Sequence, residues 1–85
     1  MPSLQIEGQA CMVIRNKSVL EAFGLHLRQL RDERSLSQQA LADITDIAKP
    51  TIQRIEKGTT SVGLDVLASL AAGLEMPVRE LLKSV

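Results

Sequence analysis

The sequence predicts an all-α domain: five short helices behind an extended amino-terminal arm. Three observations point there. Apolar residues recur at helical spacing in successive short stretches, from Val19, Phe23, Leu27 and Leu30 onward. Residues that start and stop helices (Ser18, Ser37, Pro50, Gly58, Pro77) fall between those stretches. The apolar content is aliphatic, with Phe23 the only aromatic residue, which suits a small helical bundle better than a sheet. The 85 residues are enough for one small core. Residues 1–17 are read as the arm and 18–85 as the helical domain.

The first helix is expected to open on a capping box, Ser18-Val-Leu-Glu21, in which each polar side chain satisfies a backbone N–H of the other. Its apolar stripe is Val19, Phe23, Leu27 and Leu30, widened by Leu20. Arg28, Arg31, Asp32 and Arg34 occupy the opposite side, and Leu36 plugs the connection that follows. Ser37 is an N-cap for the second helix, which should bury Ala40, Leu41 and Ile44 and end near Thr45-Asp46. Asp tolerates the left-handed conformation of a tight inter-helix turn, though less readily than Gly. The third helix begins around Ala48 to Pro50, where proline sacrifices no helical hydrogen bond, and stops at Gly58. Thr59 to Gly63 read as a polar, flexible connection. Leu64, Leu67, Leu70, Ala71 and Leu74 form the buried stripe of a fourth helix. Pro77 starts a fifth, with Val78, Leu81 and Leu82 inward. No sheet is needed to bury this plan.

The arm has a different pattern. Leu4-Gln-Ile6-Glu alternates like a strand, Gly8-Gln9 suits a turn, and Ala10 to Ile14 is a short apolar run. Two readings stay open: a loose extension, or a strand or hairpin that pairs with a second subunit. The second reading predicts a homodimer with contacts in residues 4–15, through Leu4, Ile6, Met12, Val13 and Ile14. The competing interface is the carboxy-terminal segment, Val78 to Val85.

Charge and composition narrow the function. Ten basic and ten acidic residues cancel, whereas a basic domain is the usual footprint of a nucleic-acid binder. Six of the ten basic residues lie in 28–57 beside five acids, so the question becomes which face each charge occupies. The lone Cys11 allows no intramolecular disulfide, and His26 has no second ligand at metal spacing. His26 is read as a surface or partly packed residue. No cofactor is expected. With no Ser/His/Asp set, metal cluster or glycine-rich phosphate loop, an enzyme is not expected. No membrane span or secretory signal pattern is seen, and the expected compartment is the cytoplasm, at the nucleoid.

The third helix carries the chemistry. Ile52 and Ile55 are three apart and meet on its inner face, with Ile47 at its entrance. Lys49, Gln53, Arg54 and Lys57 fall at i, i+4, i+5 and i+8 on its outer face. A helix with one apolar side and one Lys/Gln/Arg side suits the DNA major groove, which admits a helix and is read by those side chains. The plain alternative is an ordinary solvated helix face.

From Phe23 to Leu82 the chain resembles the Cro/repressor-type (Xre-like) helix-turn-helix family. The resemblance rests on Leu36-Ser37-Gln38, Leu41-Ala42, Thr51-Ile52-x-Arg54-Ile55-Glu56-x-Gly58, Leu64-Asp-Val-Leu67-x-x-Leu70-Ala71-x-x-Leu74 and Val78-x-Glu80-Leu81-Leu82. It implies a lambda-repressor-like fold of five helices and a sequence-specific regulator of transcription. Such a protein binds double-stranded DNA as a homodimer on a palindromic operator, with residues 48–57 as the recognition helix. It also implies roles by position. Gln38 would touch a phosphate, the plain alternative being a helix cap. Lys49, Pro50, Thr51, Gln53 and Arg54 would face the groove, and Ser37 and Lys57 would lie near phosphates. Arg31 and Glu56 would form a salt bridge between the first helix and the end of the third. Against the family pattern, Asp46 replaces the common turn Gly, Ala48 the usual Ser/Thr cap, and Pro50 a polar residue. The alternative class is an antitoxin-type module on the same fold, which neutralises a partner protein and regulates its own operon.

Overall fold

Helical stripes account for most of the architecture. The computed structural model describes residues 13–14 and 16–83. Five helices follow one another: α1 (Lys17–Glu33), α2 (Gln38–Thr45), α3 (Lys49–Lys57), α4 (Leu64–Gly73) and α5 (Val78–Leu81). Two short strands, β1 (Val13–Ile14) and β2 (Val62–Gly63), pair antiparallel, Val13 opposite Gly63 and Ile14 opposite Val62.

One core joins all five helices. Phe23, Leu27, Leu41, Ile52, Ile55, Val62, Leu70 and Leu81 are fully buried, with Leu20, Leu30, Ala42, Leu67, Ala71 and Leu74 around them. Leu36 and Ile47 pack against its edge. Burying a Leu, Ile or Phe side chain is worth about 1.5–3 kcal/mol, so this set supplies the main driving force for the fold.

The structure corrects several expectations. Ser18 is not the first cap. Asn16 is, its Oδ1 accepting from the Val19 N–H at 3.1 Å, and α1 begins two residues earlier than the Ser-x-x-Glu pattern implied. In α2 the buried stripe is Leu41, Ala42 and Thr45, while Ile44 is 50% exposed. The helix is rotated relative to the expected face, and Thr45 takes the inner position because its hydroxyl donates to the Leu41 carbonyl at 2.7 Å, leaving no bare polar group. Leu64, the first residue of α4, is 47% exposed rather than buried. The connection after α3 is not simply a polar loop, because Val62 is buried in it and β2 pairs with β1. The plan without a sheet therefore gives way to a two-stranded ribbon within one chain. The arm residues Leu4, Ile6 and Met12 lie outside the described residues.

The turns explain how α3 is aimed. Asp46 is left-handed at φ 59°, and the Ile47 N–H returns to the Ala42 carbonyl at 3.2 Å. Ala48 caps α3 without a side-chain hydrogen bond, and Pro50 sits in the first turn. At the other end Gly58 is left-handed at φ 72°, and its N–H and that of Thr59 close on the carbonyls of Ile55 and Arg54.

Helix α1 crosses α3 at very close range. A Cβ on Gly24 would lie 2.6 Å from the carbonyl oxygens of both Ile55 and Glu56. Backbone, not a flexible side chain, fills that space, so only glycine allows this approach. Gly24→Ala is therefore expected to destabilise the protein by about 1–3 kcal/mol in urea unfolding. Leu25→Ala, at a neighbouring residue 67% exposed, should change stability by less than about 0.5 kcal/mol. Equal effects would contradict the close crossing.

Candidate nucleic-acid interface

The α1–α3 crossing puts the carboxyl end of α1, the start of α2 and the outer face of α3 around one open cleft. Arg28 and Arg31 reach it from α1, Ser37, Gln38 and Gln39 from α2, and Lys49, Gln53, Glu56 and Lys57 from α3.

The floor of this cleft is an ion pair. Arg31 Nε donates to Glu56 Oε2 at 2.8 Å, and a second guanidinium nitrogen donates to Oε1 at 3.1 Å. This two-pronged geometry matches the planar guanidinium to the planar carboxylate. The side chains are only 12% and 5% exposed. Arg31 also donates to the Leu36 carbonyl at 2.9 Å and lies 3.7 Å from the exposed Asp32. The hydrogen bond with Glu56 is the main influence holding the Arg31 guanidinium above its ordinary pKa. Burial opposes it, and the nearby charges of Glu56 and Asp32 add to it. A raised value on a cation stabilises the fold at every pH below the ordinary value. That contribution is lost only as pH climbs through the raised one. It therefore brings no pH dependence near neutrality.

Gln38 completes the floor. Its Nε2 donates to Glu56 Oε1 at 3.0 Å, and its Oε1 accepts from Gln53 Nε2 at 3.5 Å. The helix cap is Ser37, whose Oγ accepts from the Ala40 N–H at 2.9 Å, so Gln38 is not a cap.

The rim is cationic. Arg28, Lys49 and Lys57 line the cleft and are exposed, Arg54 is exposed on α3 outside the cleft, and none of the four is ion-paired among the described residues. Among the described residues Glu56 is the one carboxylate lining the cleft, and it is already matched by Arg31. Asp43 and Asp46 border a neighbouring hollow instead. The even overall charge thus conceals a sorted surface. Pro50 is exposed, Thr51 and Gln53 are half-buried, and Arg54 lies 3.5 Å from Thr51 Oγ1.

Arg28 and Gln39 line the cleft, yet the sequence reading gave them no role. The available signal for Arg28 was its place one turn before Arg31 on the same helix face. Gln39 Nε2 is held by Asp43 Oδ1 at 2.9 Å. His26 is half-buried on α1, with Nε2 3.3 Å from the Glu80 carbonyl on α5. Among the described residues no group of His, Cys, Asp and Glu could hold a metal ion, and no helix is long and apolar enough to cross a membrane.

Comparison with known proteins agrees with this geometry. The helix-turn-helix family model matches residues 27–81. The chain is 37% identical over 59 residues to the HTH-type transcriptional regulator DdrOP3 of Deinococcus deserti, which covers 69% of this chain and 46% of that protein. It is equally 37% identical over 59 residues to the cryptic phage CTXphi transcriptional repressor RstR of Vibrio cholerae, covering 69% of this chain and 53% of the repressor. The chain thus spans about half the length of these curated relatives. Among solved structures, the restriction-modification controller protein C.AhdI of Aeromonas hydrophila superposes with a TM-score of 0.73 at 34% identity, covering 75% of this chain and 97% of that one. The chain belongs to the Cro/repressor-type helix-turn-helix DNA-binding domain family. The relatives are regulators of transcription, not enzymes.

The ion pair yields a stability prediction. Removing one partner of a buried pair strands the other charge, at about 3–5 kcal/mol. Glu56→Ala should therefore lower the melting temperature far more than Asp32→Ala or Glu33→Ala, both at exposed positions. Comparable losses in thermal unfolding would contradict the assignment.

Proposed function

We propose that this chain is a sequence-specific regulator of transcription that binds double-stranded DNA, with α3 inserted in the major groove. The observation that carries the reading is the division of α3. Ile52 and Ile55 are buried, while Lys49, Arg54 and Lys57 are exposed with no carboxylate partner among the described residues. Unpaired cations around a cleft beside a short protruding helix match a phosphate backbone flanking a groove. The relatives named as a transcriptional regulator and a transcriptional repressor support the same reading.

In this reading Arg54, Gln53, Thr51, Pro50 and Lys49 face base edges, and Ser37, Gln38 and Lys57 lie against phosphates. The protein acts as a homodimer on a palindromic operator, which sets two recognition helices about 34 Å apart, one turn of DNA. Val13–Ile14 is already paired within its own chain. That pairing occupies one edge of the strand, and the arm, residues 4–15, keeps its proposed share of the dimer contact, with Val78 to Val85 as the competing interface.

Selection of bound sites from a random duplex pool tests this. The expected product is one enriched motif with two-fold symmetry. Arg54→Ala should relax preference at one position per half-site, with about 1–3 kcal/mol of discrimination lost there. Lys57→Ala should weaken binding to all sequences alike and reduce the salt slope by about one unit. A pool without enrichment would overturn the DNA reading. Uniform weakening by Arg54→Ala would make Arg54 a phosphate contact.

A further inference from the structure

We infer that Glu56 fixes, through Gln38, the direction in which the Gln53 amide points, so that Gln53 presents its carbonyl oxygen to a base-edge amino group of adenine or cytosine. The inference rests on the proposed DNA reading and goes beyond it by assigning the polarity of one contact.

An amide side chain is two-faced: its oxygen accepts and its nitrogen donates, and in solution either can face a partner. A carboxylate is not two-faced. Glu56 is held by Arg31 through both oxygens and can only accept from Gln38. The Gln38 nitrogen must therefore point inward, where it lies 3.0 Å from Glu56 Oε1. Its oxygen is then turned toward α3, 3.5 Å from Gln53 Nε2. That acceptor engages the nitrogen end of Gln53 in turn, and the Gln53 oxygen is thereby assigned to the ligand. The sense of the chain is set by a charge that need not touch DNA.

The chemical consequence is specific. In the major groove every base pair carries one exocyclic amino donor, adenine N6 or cytosine N4, among carbonyl and ring-nitrogen acceptors. An outward oxygen on Gln53 pairs with that donor. The second N–H of Gln53 is left over, so the two-point contact with adenine N6 and N7 also remains open. Gln38 and Glu56 are positioning residues here, and Gln53 makes the contact. Neither helix periodicity nor composition contains this information, because it depends on which of two nearly identical atoms faces inward.

The test uses the selected operator with base analogues at the position that loses its preference in Gln53→Ala. Purine replaces adenine there, or 2-pyrimidinone replaces cytosine, each removing only the amino group. For the wild-type chain this should weaken binding by about fivefold or more, while Gln53→Ala binds both duplexes equally. Gln38→Met keeps a side chain of similar length but breaks the chain, and should lose most of the sensitivity to the amino group; any loss of its proposed phosphate contact would weaken binding to both duplexes alike and leave that ratio unaffected. Gln53→Glu, which can only accept, should remain sensitive to the amino group although it gives up the donation to Gln38, and it keeps the Arg31, Glu56 and Gln38 side chains should Gln38→Met not fold. A wild-type protein indifferent to the amino group, or a Gln38→Met protein as sensitive as wild type, would overturn the inference while the DNA reading stood. Failure to select any operator would overturn the DNA reading and the inference with it.

Discussion

The ion pair between Arg31 and Glu56 is the junction on which the rest of the structure depends. It ties the end of α1 to the end of α3 at 2.8 Å. Through the Leu36 carbonyl and Gln38 it also reaches both ends of the connection into α2. Three helices therefore share one buried, fully hydrogen-bonded centre. Such a centre adds little net stability over a well-packed apolar alternative, because both charges had to leave water. What it does supply is direction. An apolar core tolerates small rotations of a helix, whereas a two-pronged guanidinium–carboxylate contact does not. The glycine at the α1–α3 crossing serves the same geometry, since a Cβ on Gly24 would push α3 away from α1.

That rigidity decides what the surface can do. The chain has no net charge, yet Arg28, Lys49 and Lys57 line one cleft without an ion pair, and Glu56, the one carboxylate lining it among the described residues, is matched by Arg31. Local sorting thus provides what overall composition lacks. The outer face of α3 is held at a set angle, with its hydrogen-bonding groups partly oriented before any ligand arrives. Preorganised polar groups bind with less ordering cost than free ones. In the proposed DNA reading, this lets a chain of modest electrostatic attraction still discriminate among sequences.

Much of the fold was legible because α-helical burial follows a period. Phe23, Leu27 and Leu30 in α1, and Leu67, Leu70, Ala71 and Leu74 toward the end of the domain, occupy the faces that spacing alone predicted. The failures lie at helix ends, where period matters less than local hydrogen bonding. Asn16 displaced Ser18 as a cap because either side chain could serve and only one has the extended backbone. Ile44 and Leu64 sit in terminal turns, where one residue of rotation moves a side chain outward. The β ribbon was hidden because two residues per strand carry no periodic signal. The cleft itself was partly legible. The α3 face follows from spacing, and the Arg31–Glu56 partnership was implied by family resemblance. The link from Glu56 to Gln38 joins residues 18 apart through side-chain atoms, and no one-dimensional pattern reveals it.

If the ion pair chiefly provides direction, its stability and its orienting effect should be separable. The most direct measurement is on Arg31→Met/Glu56→Leu, which removes both charges together and leaves neither stranded. Thermal unfolding and operator selection would be read on the same protein. The expected result is a melting temperature near that of the wild type, because an apolar pair replaces the ionic one at little net cost, together with loss of base preference at the position that the proposed DNA reading gives to Gln53. A double variant that folds and selects the wild-type operator unchanged would contradict the role given to this pair.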